Sequence, residues 1–199
     1  MNTNETLGQM QQLKFNGMQS AYSLQLQLTI HQQLDAHELI AQLIQVESLS
    51  RNNERTACSL KLAKLRLPAI AEQLECSVAR NFTKQQLATL LEGHHLKQGE
   101  NILITGSTGC GKSYLACALG HQACLQGHRT SYLNMNRLIE KITLAKLDGT
   151  YIKYLNFLER QPLIILDDFG LQSLNQDVNL ALLQILEDRC VKRSVIITS

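Results

Sequence analysis

The run Gly106-Ser107-Thr108-Gly109-Cys110-Gly111-Lys112-Ser113 has the spacing G-x-x-x-x-G-K-S, which suits one kind of chemistry, the holding of a phosphate chain. Its glycines let the backbone curl so that successive N–H groups converge on an anion. A helix starting near Lys112 would add its positive N-terminal dipole to the same spot. Lys112 is expected to reach the β- and γ-phosphates of ATP, and the Ser113 hydroxyl to ligate Mg²⁺. A second group of residues, Leu163-Ile164-Ile165-Leu166-Asp167-Asp168, reads as a strand buried on both faces that delivers two acids at its C-terminal end. Open parallel sheets bind ligands at that edge. Asp167 is expected to hold Mg²⁺, and Asp168 to orient or deprotonate the attacking water; simple helix capping is the structural alternative. The third group is Ser194-Val195-Ile196-Ile197-Thr198-Ser199. Some ATPases insert an additional strand between the phosphate-loop strand and the acidic strand. In such a sheet Thr198 or Ser199 would point at the γ-phosphate and sense it, with ordinary strand-end hydroxyls as the alternative.

The elements needed to position these residues can be read from hydrophobic period and turn residues. Strands are expected over Asn101–Thr105, buried and bounded by glycines, and over Thr130–Leu133, Leu163–Asp167 and Val195–Thr198. Helices are expected over Lys112–Gln126, closed by Gly127, and over Arg137–Leu147, Tyr151–Leu158 and Val178–Arg189. Strands alternating with helices predict an α/β fold, a parallel sheet covered by helices on both faces. The first half reads as helical throughout. Leu7, Met10 and Leu13 recur at helical spacing, and Asp35 with Glu38 resembles a capping box before Leu39, Ile40, Leu43 and Ile44. Pro68 predicts a helix from Ala69 to about Cys76, and Thr83 with Gln86 another ending near Gly93. The boundary is placed near Leu96–Glu100, giving a helical N-terminal domain over 1–96 and a nucleotide-binding core over 97–199.

Composition narrows the class. The 199 residues are 44% apolar, which allows a packed core, and the net charge of +2 neither requires nor excludes nucleic acid. The densest basic stretch is Arg51, Arg55, Lys61, Lys64 and Arg66 against Glu54; phosphate contact and a solvated helix face are equal readings of it. None of the six cysteines forms a C-x-x-C pair, and Cys117 and Cys124 share one helix face as small hydrophobes. The polar start Met1-Asn2-Thr3-Asn4-Glu5 and the lack of a long apolar run predict a cytoplasmic protein with no membrane partner.

Further runs carry a resemblance. Gly99-Glu100-Asn101-Ile102-Leu103-Ile104-Thr105-Gly106, Lys112-Ser113-Tyr114-Leu115-Ala116 and Leu166-Asp167-Asp168-Phe169-Gly170 resemble the IstB-like family. So does Glu187-Asp188-Arg189 followed by Arg193 to Ser199. These are transposition helper ATPases of bacterial insertion sequences, similar in fold to replicative helicase loaders. The resemblance runs from near Met1 to Ser199 and is looser in the N-terminal part. It implies an AAA+ module that assembles as a homo-oligomer on duplex DNA when ATP is bound and hands a target site to the transposase of the same element. It also implies that residues 137–158 form an insertion facing DNA. That insertion carries Arg137, Lys141, Lys146 and Lys153 against Glu140, Asp148 and Glu159. Family members continue past the fourth strand through an arginine finger to a fifth strand. A chain stopping at Ser199 is therefore expected to be a truncated copy, with its phosphate-loop strand at an open edge and ATP hydrolysis impaired. A helicase-loader role and a non-hydrolysing ATP-binding remnant are the alternatives to a transposase helper.

Overall fold

The computed structural model describes residues 2–77, 81–171 and 176–199. The chain divides into two compact units, 1–58 and 59–199.

The first unit is helical. It comprises α1 (Thr3–Gln12), α2 (Asn16–Gln27) and most of α3 (Ala36–Ala63). The capping box at Asn2 and Glu5 starts α1, while Glu38 N donates to Asp35 Oδ1 at 2.8 Å at the start of α3, as Asp35 and Glu38 suggested. Gly17 lets α2 approach α3 closely, since a β-carbon there would lie 2.8 Å from Glu47 Cα. Beside this contact the buried Glu47 accepts from Met18 N (3.1 Å) and Arg51 Nε (2.7 Å). The Arg51 guanidinium also lies 5.3 Å from the centre of the Phe15 ring. Arg51, the first cation of the basic stretch, thus serves its own unit.

The second unit is built on a parallel sheet of β1 (Ile102–Ile104), β2 (Thr130–Asn134), β3 (Leu163–Asp167) and β4 (Ser194–Thr198), in the order β1-β4-β3-β2. β4 lies between the phosphate-loop strand and the acidic strand, as expected. The alternation of β3 divides the core. Leu163 and Ile165 face α6 (Lys112–Leu125), packing with Ala116, Leu119 and Ala123. Ile164 and Leu166 face the other layer, formed by α7 (Met135–Leu147), α8 (Tyr151–Glu159) and α9 (Gln176–Arg189). All of β3 is buried, so it is apolar on both faces. α6 lies so close to the sheet that a β-carbon on Gly120 would come within 2.6 Å of Ile165 Cδ1. Cys117 and Cys124 are fully buried on α6, and all six cysteines are free thiols. No helix among the described residues is long and apolar enough to cross a membrane.

Three sequence expectations are corrected here. The helix expected from Ala69 to Cys76 is only a 3₁₀ turn at Ala71–Gln73. This segment is drawn onto α6, with Ala69 buried against Cys117 and Ala118 and Tyr114 OH donating to Gln73 Oε1 at 2.8 Å; docking outweighs the Pro68 start signal. β1 is not a buried strand. It lies at the edge of the sheet with α6 against Ile102 and Ile104, leaving Leu103 66% exposed. The compact units divide at Cys58/Ser59, not near Leu96–Glu100. Leu65, Leu90, Leu91 and Leu96 pack with the sheet-and-α6 core, so α4 (Lys84–Leu91, opened by the Thr83–Gln86 capping box) and α5 (His94–Gln98) belong to it.

Candidate nucleotide-binding site

The loop from Gly106 to Ser113 leaves the C-terminal end of β1 and runs into α6. Gly109 (φ +82°) and Gly111 (φ +93°) hold left-handed conformations that strain any other L-residue. Lys112 folds back over the loop, and its Nζ donates to Gly106 O (2.8 Å) and Ser107 O (2.9 Å). The loop opens on a cavity of about 530 Å³, whose walls include Lys112, Ser113, Asp168, Thr198 and Ser199. Gly106, Thr108, Gly109 and Gly111 also line it. Cys110 instead borders a neighbouring cavity of about 310 Å³, lined by Leu74, Phe82, Leu90, Ile102 and Leu115 and sharing Gly111 and Lys112 with the first.

Asp167 is bonded to two residues that line the cavity, Ser113 and Thr198. It is fully buried at the end of β3, with Ser113 Oγ donating to its Oδ1 at 2.8 Å. Thr198 Oγ1 donates to the same oxygen, and Tyr132 OH to Oδ2. Burial raises the proton affinity of this carboxyl, but the hydroxyls of Thr198, Tyr132 and Ser113 outweigh burial and hold it below the ordinary carboxylate range. Burial, followed by the Asp167 contact, pushes the Tyr132 phenol well up. An ionised carboxylate touching a serine hydroxyl is a hard-oxygen donor pair suited to Mg²⁺. Asp167 and Ser113 would therefore hold the ion, which when bound would neutralise phosphate charge.

Asp168 follows with φ +62°, a left-handed conformation uncommon outside glycine. Its N–H donates to Thr198 Oγ1 (3.3 Å), and its Oδ2 accepts from Asn134 Nδ2 (2.7 Å). Arg66 Nη1 stands 3.3 Å from the same Oδ2 and 3.6 Å from Asp167 Oδ2. Ser199 N donates to Ile104 O at 3.1 Å, placing the end of β4 beside the loop strand. The fold thus gathers Lys112, Ser113, Asp167, Asp168, Thr198 and Ser199 around one cleft.

Sequence reasoning missed Tyr132, Asn134 and the placement of Arg66. Asn134 was legible in principle: it pairs in register with Asp167, one residue beyond the expected end of β2. Arg66 was grouped with the basic stretch, although its guanidinium meets the two acids; only the path of the chain after α3 shows this.

Comparison with known proteins matches residues 8–199 to a family described as IstB-like ATP binding protein. A protein of insertion sequence IS1162 from Pseudomonas fluorescens, named for ATP binding, is 38% identical over 200 residues, covering 100% of this chain and 87% of that protein. An insertion-sequence protein of Sinorhizobium fredii, likewise named, is 38% identical over 194 residues, covering 98% and 78%. Among solved structures, the DnaC helicase loader aligns with TM-score 0.58 at 22% identity, over 68% of this chain and 79% of that one. The DnaA replication initiator bound to AMPPCP and single-stranded DNA aligns with TM-score 0.58 at 21% identity, over 68% and 43%. At such identities the structural likeness concerns the fold alone.

Proposed function

The chain belongs to the IstB-like ATP-binding family, and from that premise we propose that it binds ATP with Mg²⁺ and serves its transposase as a nucleotide-controlled switch on DNA. One observation carries the nucleotide part: Ser113 Oγ lies 2.8 Å from Asp167 Oδ1 beside the cavity that Lys112 borders. A loop of amides with a lysine would hold the phosphates, and the Ser113–Asp167 pair their metal. The apolar cavity next to it, with Leu74, Phe82, Leu90 and Leu115, suits the flat face of the base. Asp168 is the residue for orienting the attacking water, and Thr198 and Ser199 those for reading the terminal phosphate.

The wider role rests on family membership and on the insertion-sequence relatives. Duplex DNA is the proposed surface, a homo-oligomer the proposed ATP-bound form and the transposase of the same element the proposed partner. α7 and α8 offer Arg137, Lys141, Lys146 and Lys153 for DNA phosphates, while the N-terminal helices are assigned to partner contact. Sizing the chain on duplex DNA at low salt with ATP, with ADP and with neither tests the switch. Assembly with ATP alone is expected. Nucleotide binding with no DNA-dependent assembly would overturn it.

A further inference from the structure

Among the described residues, two cations that line the nucleotide cleft are held differently. Lys112 is held by loop carbonyls, whereas Arg66 stands at the two acids, 3.3 Å from Asp168 Oδ2 and 3.6 Å from Asp167 Oδ2. Three hydroxyls donate to Asp167, but a hydroxyl brings no compensating charge, and a buried carboxylate needs one. Arg66 supplies it from a side chain that is 53% exposed.

We infer that Arg66 is a displaceable counter-ion of this site: it holds Asp167 and Asp168 before nucleotide binds and turns to the terminal phosphate once a divalent ion takes its place. The inference rests on reading the cleft as an ATP and Mg²⁺ site and names a residue that would make that site prefer triphosphate over diphosphate. A divalent ion on Asp167 and a guanidinium beside the same carboxylate repel each other, so the weaker-held cation leaves. Its destination follows from what lies on either side. Away from the loop, Arg66 borders a cavity of about 670 Å³ that is also lined by Lys64, Arg137 and Lys141, where a released guanidinium would meet three like charges. Toward the loop it borders the cavity with Lys112 and Ser113, into which phosphates bring negative charge. A planar guanidinium suits a phosphate better than an ammonium does, since it donates two parallel hydrogen bonds. The flanking Leu65 and Leu67 pack against the α6 core, which keeps the guanidinium within the cleft.

Titrating the full chain with Mg²⁺ and either ADP or the non-hydrolysable analogue AMPPNP tests this, comparing wild type with Arg66→Ala and Arg66→Gln. Both variants are expected to show an AMPPNP-to-ADP affinity ratio about tenfold below that of wild type, a loss on the scale of one charge-assisted hydrogen bond. Without nucleotide, Mn²⁺ followed by electron paramagnetic resonance is expected to bind the variants more tightly than wild type. Thermal melts establish that both variants are folded. An AMPPNP-to-ADP ratio unchanged from wild type overturns the inference, whatever Mn²⁺ does. Wild type binding neither nucleotide would instead sink the reading of the cleft itself, and this inference with it.

Discussion

The two ends of one sheet treat positive charge in opposite ways. At the C-terminal edge, Arg66 and Lys112 are solvated and rest on groups that a ligand can replace: two carboxylates and the carbonyls of a glycine loop. At the N-terminal edge, Arg189 is 1% exposed, and its guanidinium donates to Leu158 O (2.6 Å), Gln161 O (2.7 Å) and Ser194 O (2.7 Å), with Glu159 O and Pro162 O further off. Burial pulls Arg189 down to about 10, which still leaves it charged at neutral pH. Those carbonyls belong to the chain entering β3 and β4 and cannot leave. A charge buried among backbone carbonyls fixes architecture, whereas a charge at the wall of an open cleft is available for exchange.

The largest effect should come from breaking the pinned end. Arg189→Ala removes the guanidinium donors from several carbonyls and opens a cavity, and is expected to destabilise the second unit by about 3–5 kcal/mol in chemical denaturation. Nucleotide added to any folded remainder should still bind. Next, Lys112→Ala removes a solvated charge: its melting temperature should stay near that of wild type, while ATP affinity falls on the order of 10- to 100-fold in calorimetry. A fold loss as large as that of Arg189→Ala would erase the distinction between the ends. Asp168→Asn should leave ATP affinity within about threefold, since the assigned metal ligand is Asp167, yet slow any phosphate release the chain supports. If binding drops instead, the roles of the two acids are reversed. The smallest effect concerns pH at the pinned end, where His95 is buried and its Nε2 has no hydrogen-bond partner among the described residues. Burial lowers its proton affinity below the ordinary 6.5, so the unfolded chain takes the proton first. Stability from this group is present above about 6.5 and is lost as pH falls through the folded value. Asp167, whose affinity is also lowered, loses its contribution only at more acidic pH, through the carboxylate range below 3.8. His95→Gln should flatten the upper phase in pH-dependent melts and leave the lower one.

What the sequence revealed follows the same division. The phosphate loop, β3 and the place of β4 were legible because local signals there agree with the fold: glycines where the backbone turns left-handed, and unbroken apolar runs where both faces are covered. The 3₁₀ turn at Ala71–Gln73 was hidden because contact with α6 decides it, and local propensity does not. Asn134 and Tyr132 reach the acids only through the pairing of β2 with β3, a long-range fact. Arg66 meets Asp168 across a separation of 102 residues, which no local pattern encodes. The buried role of Arg189 was likewise invisible in a run that carried only family resemblance.

The central claim is that the glycine loop, Lys112, Ser113 and Asp167 enclose one triphosphate and its metal. Calorimetric titration of the chain with AMPPNP, run with and without Mg²⁺ on wild type and Asp167→Asn, tests it most directly. The expected result is one nucleotide per chain, tightened by Mg²⁺ in wild type and indifferent to Mg²⁺ in the variant. Equal tightening by Mg²⁺ in both proteins, or no binding to either, would contradict it.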